Sequence, residues 1–407
     1  MTLKLALRNL LRNSRRTALN LMIMAGGYSA VVIFHGFAAN ILDATRWGAV
    51  ESQYGHVQIG NQKLWDRDSE DSFLERQLRD PAELKKKVAS IEGVRSVSQR
   101  QSFYGLVSTG DRSVAAQIVG YEPEIEKEIL NETTIIEGES FLKHTGAENR
   151  MIAAVGEGLA KSIGAKPGQT LTLIGQTADG GINAIDTEVI SVFRTVIQEI
   201  DDTTVFIPIE TAQKLLDTST AERVVIKLKA HEMVDTAIGP IRAVLGEGER
   251  ARVWKELARL YNQTEAFFDS QNKVVAAIIF SLIFLSTMSA VSMAVAERTG
   301  EIGTLRAIGR RREDVLRLFV MEGGILGFLG SIVGVVLAMV AMALINRASI
   351  PIVLPGASEP IPIKILYVES AFFTALFATV LAAVCASYFA TRRALKMKIV
   401  DCLKYNI

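Results

Sequence analysis

The sequence predicts an α-helical membrane protein with four transmembrane helices and a large α+β extracytoplasmic domain. Three observations predict it. Four apolar runs, at about 17–39, 273–296, 323–345 and 368–390, are long enough to cross a bilayer. Between the first two, residues 40–272 have the mixed composition of a water-soluble domain. Across the whole chain 49% of residues are apolar and 22% are charged, and mean hydropathy is +0.24, which suits a membrane protein with a substantial exposed part.

Taken in order, residues 1–16 carry Lys4, Arg8, Arg12, Arg15 and Arg16 without an acid. Leu3, Leu7, Leu10 and Leu11 recur at helical spacing. This reads as an amphipathic helix on an anionic membrane face. The run 17–39 then reads as a retained transmembrane helix, since it exceeds the usual apolar core of a cleaved signal peptide.

In residues 40–272, short alternating segments at 56–59, 94–97, 114–119 and 170–174 predict strands. Helical patterns at 81–91 and 209–216 intervene. That alternation gives an α+β domain. Both cysteines, Cys385 and Cys402, lie near the end of the chain, so this domain holds no disulfide. Residues 346–367 form a short proline-broken connection, and 391–407 a basic tail.

Basic residues set the orientation. The N-terminal segment has five, the 297–322 loop six and the tail five, against Arg347 and Lys364 alone in 346–367. Both termini and the 297–322 loop are therefore expected on the cytoplasmic side, with residues 40–272 and 346–367 outside. The net charge of +1 gives no field for nucleic acid.

The most distinctive stretch lies between the second and third runs: Glu297-Arg298-Thr299-Gly300-Glu301-Ile302-Gly303-Thr304-Leu305-Arg306-Ala307-Ile308-Gly309. Ile302, Leu305 and Ile308 repeat every three positions, and Gly309 is available to end a short helix. An amphipathic stretch with Val315, Leu316, Leu318 and Phe319 follows, read as an interfacial helix feeding the third span. By pattern alone, 297–309 is either a docking element or an ordinary solvated loop.

This stretch closely resembles the coupling-helix signature of the MacB/FtsX-type ABC transporter permeases; length, the size of the external domain and the lack of a fused ATPase make the chain most similar to the lipoprotein-releasing members LolC and LolE. Tyr54-Gly55-His56-Val57-Gln58-Ile59, the segment 155–171 and Asp201-Asp202-Thr203-Thr204-Val205-Phe206-Ile207-Pro208 resemble the family's MacB-like periplasmic core domain. Gln169 stands where the family usually has an acid, and the tail segment 399–404 matches imperfectly.

The resemblance implies that Glu297, Arg298, Glu301, Ile302, Thr304, Leu305 and Arg306 dock on a separate ABC ATPase, which binds ATP and Mg. No cofactor is implied for this chain. It further implies a dimer with a second copy or a paralogue, and mechanotransmission rather than passage through the bundle. Lipoproteins or similar amphiphiles from the inner membrane are then the expected substrates. A periplasmic adaptor or carrier is a further expected partner, and membrane lipid surrounds the spans. Two other functions stay open: a tripartite pump subunit for peptides, small amphiphiles or proteins, and an FtsX-like signalling subunit that activates a cell-wall hydrolase.

Several chemistries have no sequence support. The 407 residues contain no Gly-x4-Gly-Lys-Ser/Thr phosphate loop, no His-Glu-x-x-His and no Gly-x-Ser-x-Gly, so neither an ATPase nor a metal or serine hydrolase is expected in this chain. The spans lack the buried ionisable groups that an ion or polar-solute carrier needs, apart from His35 near one end and Glu369 at a boundary. Gly323, Gly327, Gly330 and Gly334 place small residues along the third span for close helix packing, either between two permeases or within one.

Overall fold

Helix α1 (Ser14–Gly48) runs unbroken for 35 residues and then widens into a π-helical turn, Ala49–Tyr54. Gly55 closes that turn with φ 65°, donating its N–H to Val50 O at 2.9 Å. The computed structural model describes residues 14–66, 73–123, 125–126, 134–140, 151–195, 197–300, 309, 311–352 and 361–395. The expected N-terminal amphipathic helix, apart from its last few residues, and the tail from 396 onward lie outside the described residues.

The soluble domain is built on one ten-stranded mixed sheet. Its elements are β1 (Val57–Asn61), α2 (Pro81–Ala89), β2 (Val94–Ser108), β3 (Ser113–Tyr121), β4 (Thr134–Gly138), β5 (Ile152–Gly156), α3 (Glu157–Ile163), β6 (Thr170–Gln176) and β7 (Ile182–Arg194). Then come α4 (Gln198–Thr203), β8 (Thr204–Pro208), α5 (Ile209–Leu216), β9 (Arg223–Leu228), α6 (Val234–Ala243) and β10 (Glu249–Val253). The strand order is β10-β1-β9-β2-β3-β8-β5-β7-β4, with β6 pairing both β2 and β7.

The fifteen-residue β2 joins two cores. Its first half pairs antiparallel with β9, and its second half pairs with β3 and, at Leu106–Ser108, with β6. Around the first half, Val57, Ile59, Val97, Val224 and Ile226 pack under Leu84 and Val88 of α2 and Ile241 of α6. Around the second, Val107, Ile118, Val155, Leu173 and Val205 pack under Leu159 and Ile163 of α3 and Leu215 of α5. Asp80 starts α2 by accepting a hydrogen bond from Glu83 N at 3.0 Å, with Pro81 in the first turn.

Two of the family-like stretches meet in space. Gly156, at the β5–α3 corner, has no side chain, so the Asp201 backbone lies against it; a Cβ there would stand 2.9 Å from Asp201 Cα. Asp201 Oδ1 accepts from Thr195 N at 2.7 Å and Thr195 Oγ1 at 2.8 Å. These motif residues shape the turn into β8.

The membrane unit contains α1 together with α7 (Arg259–Glu297), α8 (Arg312–Ala348) and α9 (Glu369–Ala394), four helices long and apolar enough to cross a bilayer. At 1.5 Å per residue, the 37-residue α8 is about 55 Å long against a hydrocarbon core of about 30 Å. Large apolar side chains such as Val274, Ile278 and Leu282 on α7, Met339 and Val340 on α8, and Phe373 and Phe377 on α9 point outward, as a lipid solvent requires.

Inside, Met24, Ile283, Leu326 and Ala383 form one cluster; Tyr28, Val32, Ala338, Ile365 and Ala375 form another. Tyr28 OH donates to Phe372 O at 3.0 Å. Asn346 ties the α8–α9 connection, accepting from Ile365 N at 2.7 Å and donating to Ile365 O at 3.1 Å.

One element differs from the sequence reading. An interfacial helix ending near 322 and a span starting at Gly323 are a single helix, α8. Nothing between Arg312 and Gly323 interrupts the hydrogen-bond ladder, because the stretch has no proline and Gly323 is packed rather than kinked. Likewise α1 and α7 continue beyond their apolar runs, to Gly48 and back to Arg259.

Candidate functional site at the foot of the coupling segment

The end of α7, the start of α8 and the end of α9 meet in one apolar cluster. Val291 and Val295 come one turn apart from α7, Val315, Leu316 and Phe319 from α8, and Leu395 from just past α9. The same spacing that makes residues 315–319 amphipathic in sequence turns them inward here. The cluster holds both ends of the coupling segment, since residues 297–311 connect α7 to α8.

At the α7 exit, Thr299 Oγ1 donates to Val295 O at 3.0 Å and Ala296 O at 2.8 Å. Helix ends leave carbonyls unpaired, and this hydroxyl meets two of them. Arg298 turns inward: its Nη1 lies 3.9 Å from Glu322 Oε2 on α8, with the two side chains 8% and 14% exposed. Removing either partner would leave the other charge poorly solvated, which gives this pair leverage over the geometry between the helices.

Of the sequence-predicted docking residues, Glu297 and Arg298 are described, while Glu301, Ile302, Thr304, Leu305 and Arg306 lie outside the described residues. Gly309 has φ 97°, a conformation that favours glycine. Arg298 is 7% exposed and directed into the bundle.

The glycine stripe of α8 packs against two helices of the same chain. Gly323 and Gly327 face α9, where a Cβ on Gly327 would stand 3.0 Å from Ala383 Cβ and 3.1 Å from Val380 Cα. Gly330 and Gly334 face α1, where a Cβ would come 2.7 Å from Met24 Cβ and 2.8 Å from Tyr28 Cβ respectively.

Sequence reasoning missed a second structured region, at the π-helical turn after α1. Lys227 of β9 reaches Glu51 there, and Arg100 Nη1 donates to Gln53 O. Arg100 is in turn held by Glu126, which also accepts from Ser98 Oγ at 2.6 Å. The available signal was a lysine inside the apolar run Val224-Val225-Ile226-Lys227-Leu228, because lysine is almost never buried without a partner.

Beside this turn, His56 Nδ1 accepts from Leu228 N at 3.2 Å. Burial lowers its pKa from the ordinary 6.5 to about 4. Its ring is 5.7 Å from His231, which is 5.3 Å from Trp254. On α3, hydrogen bonds from Arg194 and then Lys161 hold the Glu157 carboxyl down to about 2. Among the described residues no group of three or more His, Cys, Asp or Glu side chains is arranged to hold a metal ion.

Comparison with known families places this architecture. Residues 273–399 match the FtsX-like permease C-terminal model, and residues 17–244, more than half the chain, match the MacB-like periplasmic core domain model. The macrolide export ATP-binding/permease protein MacB of Bradyrhizobium diazoefficiens is 38% identical over 96 residues, 23% of this chain and 13% of that protein. The lipoprotein-releasing system transmembrane protein LolC of Neisseria meningitidis serogroup B is 23% identical over 260 residues, 60% of each chain.

The chain thus spans less than two thirds of the length of these curated relatives. The solved periplasmic region of MacB from Actinobacillus actinomycetemcomitans is similar at a TM-score of 0.36 and 12% identity. It covers 51% of this chain and 92% of that one, a likeness too weak to add to the sequence matches.

Four spans, a charged connection between the second and third, and a MacB-like sheet domain define a membrane permease with a large extramembrane domain. The chain belongs to the MacB/FtsX-type ABC transporter permeases.

Proposed function

We propose that this chain is the membrane subunit of an ATP-driven ABC transporter, working as a dimer with a separate ATPase that docks on residues 301–306. The observation that carries the reading is the anchoring of the coupling segment. Its entry at Arg298 and its exit into α8 share one apolar cluster and one ion pair. A push on the segment is then felt by α7 and α8 together.

Helix α7 continues unbroken from Glu297 back to Arg259, just after the last strand of the soluble domain. ATP binding by the partner would move the spans, and the soluble domain, outside the cytoplasm, would act on the substrate. Arg298 acts in this scheme as a positioning residue through Glu322, with Glu301, Ile302, Thr304, Leu305 and Arg306 making the contacts.

The substrate class we favour is a lipoprotein or similar amphiphile lifted from the inner membrane, supported by the LolC match over 60% of this chain. An export pump subunit is the second reading, favoured by the MacB matches. The test is affinity purification of the full chain in mild detergent, comparing wild type with Glu301→Arg/Leu305→Asp. We expect an ABC ATPase with wild type and none with the double variant. Retention of the ATPase at wild-type level would remove the docking assignment. Co-purifying lipoproteins would support release, and an adaptor with an outer-membrane channel would favour the pump.

A further inference from the structure

Helices α1, α7 and α9 line a half-open cavity of about 280 Å³. Its α7 wall changes character along the helix. Asp269, Asn272 and Lys273 line one end, and Ala276, Ile279, Phe280 and Ile283 line the rest. From 269 to 283 is about 21 Å at 1.5 Å per residue. Helix α1 runs antiparallel to α7 here, with Gly27 against Ile279 and Ile283 and Phe37 against Phe268. His35 therefore lies level with the polar end.

The polar end carries little net charge. Lys273 Nζ is 2.7 Å from Asp269 Oδ2, and His35 Nδ1 is 3.0 Å from Val31 O of its own helix. Asn272 is different: its Oδ1 is buried and accepts no hydrogen bond from the described residues. Buried acceptors in folded proteins are nearly always paired, so an orphaned one on a cavity wall points to a donor brought by a bound molecule. Apart from Thr374 and Thr379 of α9, the rest of the wall is hydrocarbon within a bundle that lipid surrounds.

We propose that this cavity holds one acyl chain of a membrane amphiphile. The head group donates an O–H or N–H hydrogen to Asn272 Oδ1, and the chain lies along Ala276, Ile279, Phe280 and Ile283. The proposal rests on the reading of the chain as a subunit that handles amphiphiles, and it names where within one permease such a molecule sits.

The test uses the full chain in phosphatidylcholine nanodiscs, labelled with a monoacylglycerol that carries a diazirine on its acyl chain and mapped by mass spectrometry. Adducts should concentrate on Ile279, Phe280 and Ile283 over Ile278, Leu282 and Leu285, which are exposed on the same helix. Ala378→Trp, on the α9 wall, should cut cavity labelling about tenfold, a loss of about 1.4 kcal/mol in binding, while leaving Leu282 labelling unchanged. Asn272→Leu should do the same. Should Ala378→Trp fail to fold by thermal unfolding, Ala276→Trp fills the cavity from α7.

Even labelling around α7, or labelling that survives the filled cavity, would overturn the proposal. Competition by monopalmitoylglycerol, phosphatidylethanolamine or a triacylated lipopeptide identifies the source of the chain, and competition by none of them overturns it. No ATPase enters this assay. Its failure therefore leaves the docking assignment standing, and loss of the ATPase from Glu301→Arg/Leu305→Asp leaves the cavity result untouched.

Discussion

Lys227 Nζ lies 2.7 Å from Glu51 Oε2 and 3.1 Å from the Glu51 carbonyl oxygen, so β9, an interior strand of the sheet, grips the turn that follows α1. The lysine side chain is 5% exposed and the glutamate 20%. The Lys227 ammonium therefore satisfies both the Glu51 carboxylate and a backbone carbonyl of a turn whose π geometry leaves its ladder irregular.

Lys227→Met keeps the bulk of the stem but removes the charge, leaving Glu51 without this partner. Breaking a buried pair from one side costs about 3 kcal/mol. The expected outcome is a loss of that size in denaturant unfolding of the full chain. Lys227→Met/Glu51→Leu should recover much of it, because both charges are then gone. A double variant as unstable as the single one would show that the pair does not hold the turn.

Acid should weaken the same region by a separate route. His56 has a folded pKa of about 4 against an ordinary 6.5, so below 6.5 the unfolded chain takes up a proton that the folded one refuses. Its contribution is complete above pH 6.5 and is lost as pH falls through 4. Glu157 acts in a lower window: held to about 2 by Arg194 and Lys161, it contributes fully above about 4.5 and loses that contribution as pH falls through 2. Unfolding at pH 7, 5.5 and 4.5 should therefore show a decline that His56→Gln flattens. Parallel declines in both proteins would exclude His56 as its source.

The membrane spans were legible because lipid selects composition: any long run without charge declares itself. Their true lengths were not. Asp43 and Arg46 in α1, and Asp269 and Lys273 in α7, end an apolar run without interrupting a helical backbone, so the helices continue past the point where composition changes. Strand β2 was legible only at 94–97, since Gln99, Arg100 and Gln101 look solvent-facing. Arg100 and Gln101 are in fact buried, Arg100 against Glu126.

The turn after α1 was invisible for a different reason. Lys227 and Glu51 are 176 residues apart, and no local pattern can pair them. The coupling segment was recognisable as a motif, yet the inward course of Arg298 depends on Glu322, which sequence alone reads as one more charge before a span.

Neighbouring glycines of α8 should respond differently to the same added methyl. At Gly323 a Cβ would overlap the Ser387 side chain and stand 3.0 Å from the Ala383 carbonyl oxygen, whereas at Gly324 its nearest neighbour is Val384 Cγ2 at 3.5 Å, an ordinary contact. Overpacking costs about 1–3 kcal/mol. Gly323→Ala should thus lower the unfolding temperature in detergent while Gly324→Ala leaves it unchanged. Equal effects at both positions would mean that α8 and α9 pack less closely than these distances require.

The Arg298–Glu322 pair offers a way to separate docking from positioning. Were Arg298 a contact to the ATPase, reversing its charge would weaken association and a second change on α8 would not repair it. As a positioning residue it acts through the carboxylate 3.9 Å away. Arg298→Glu should then leave the ATPase bound but lower its stimulation by the permease about tenfold, within the usual range of coupling between sites. Arg298→Glu/Glu322→Arg restores opposite charges across the gap and should return most of the stimulation. The measurements are ATPase recovery on affinity resin and ATP turnover of the reconstituted complex. Lost recovery in the single variant that the swap does not rescue would move Arg298 from the interior of the bundle to the docking surface.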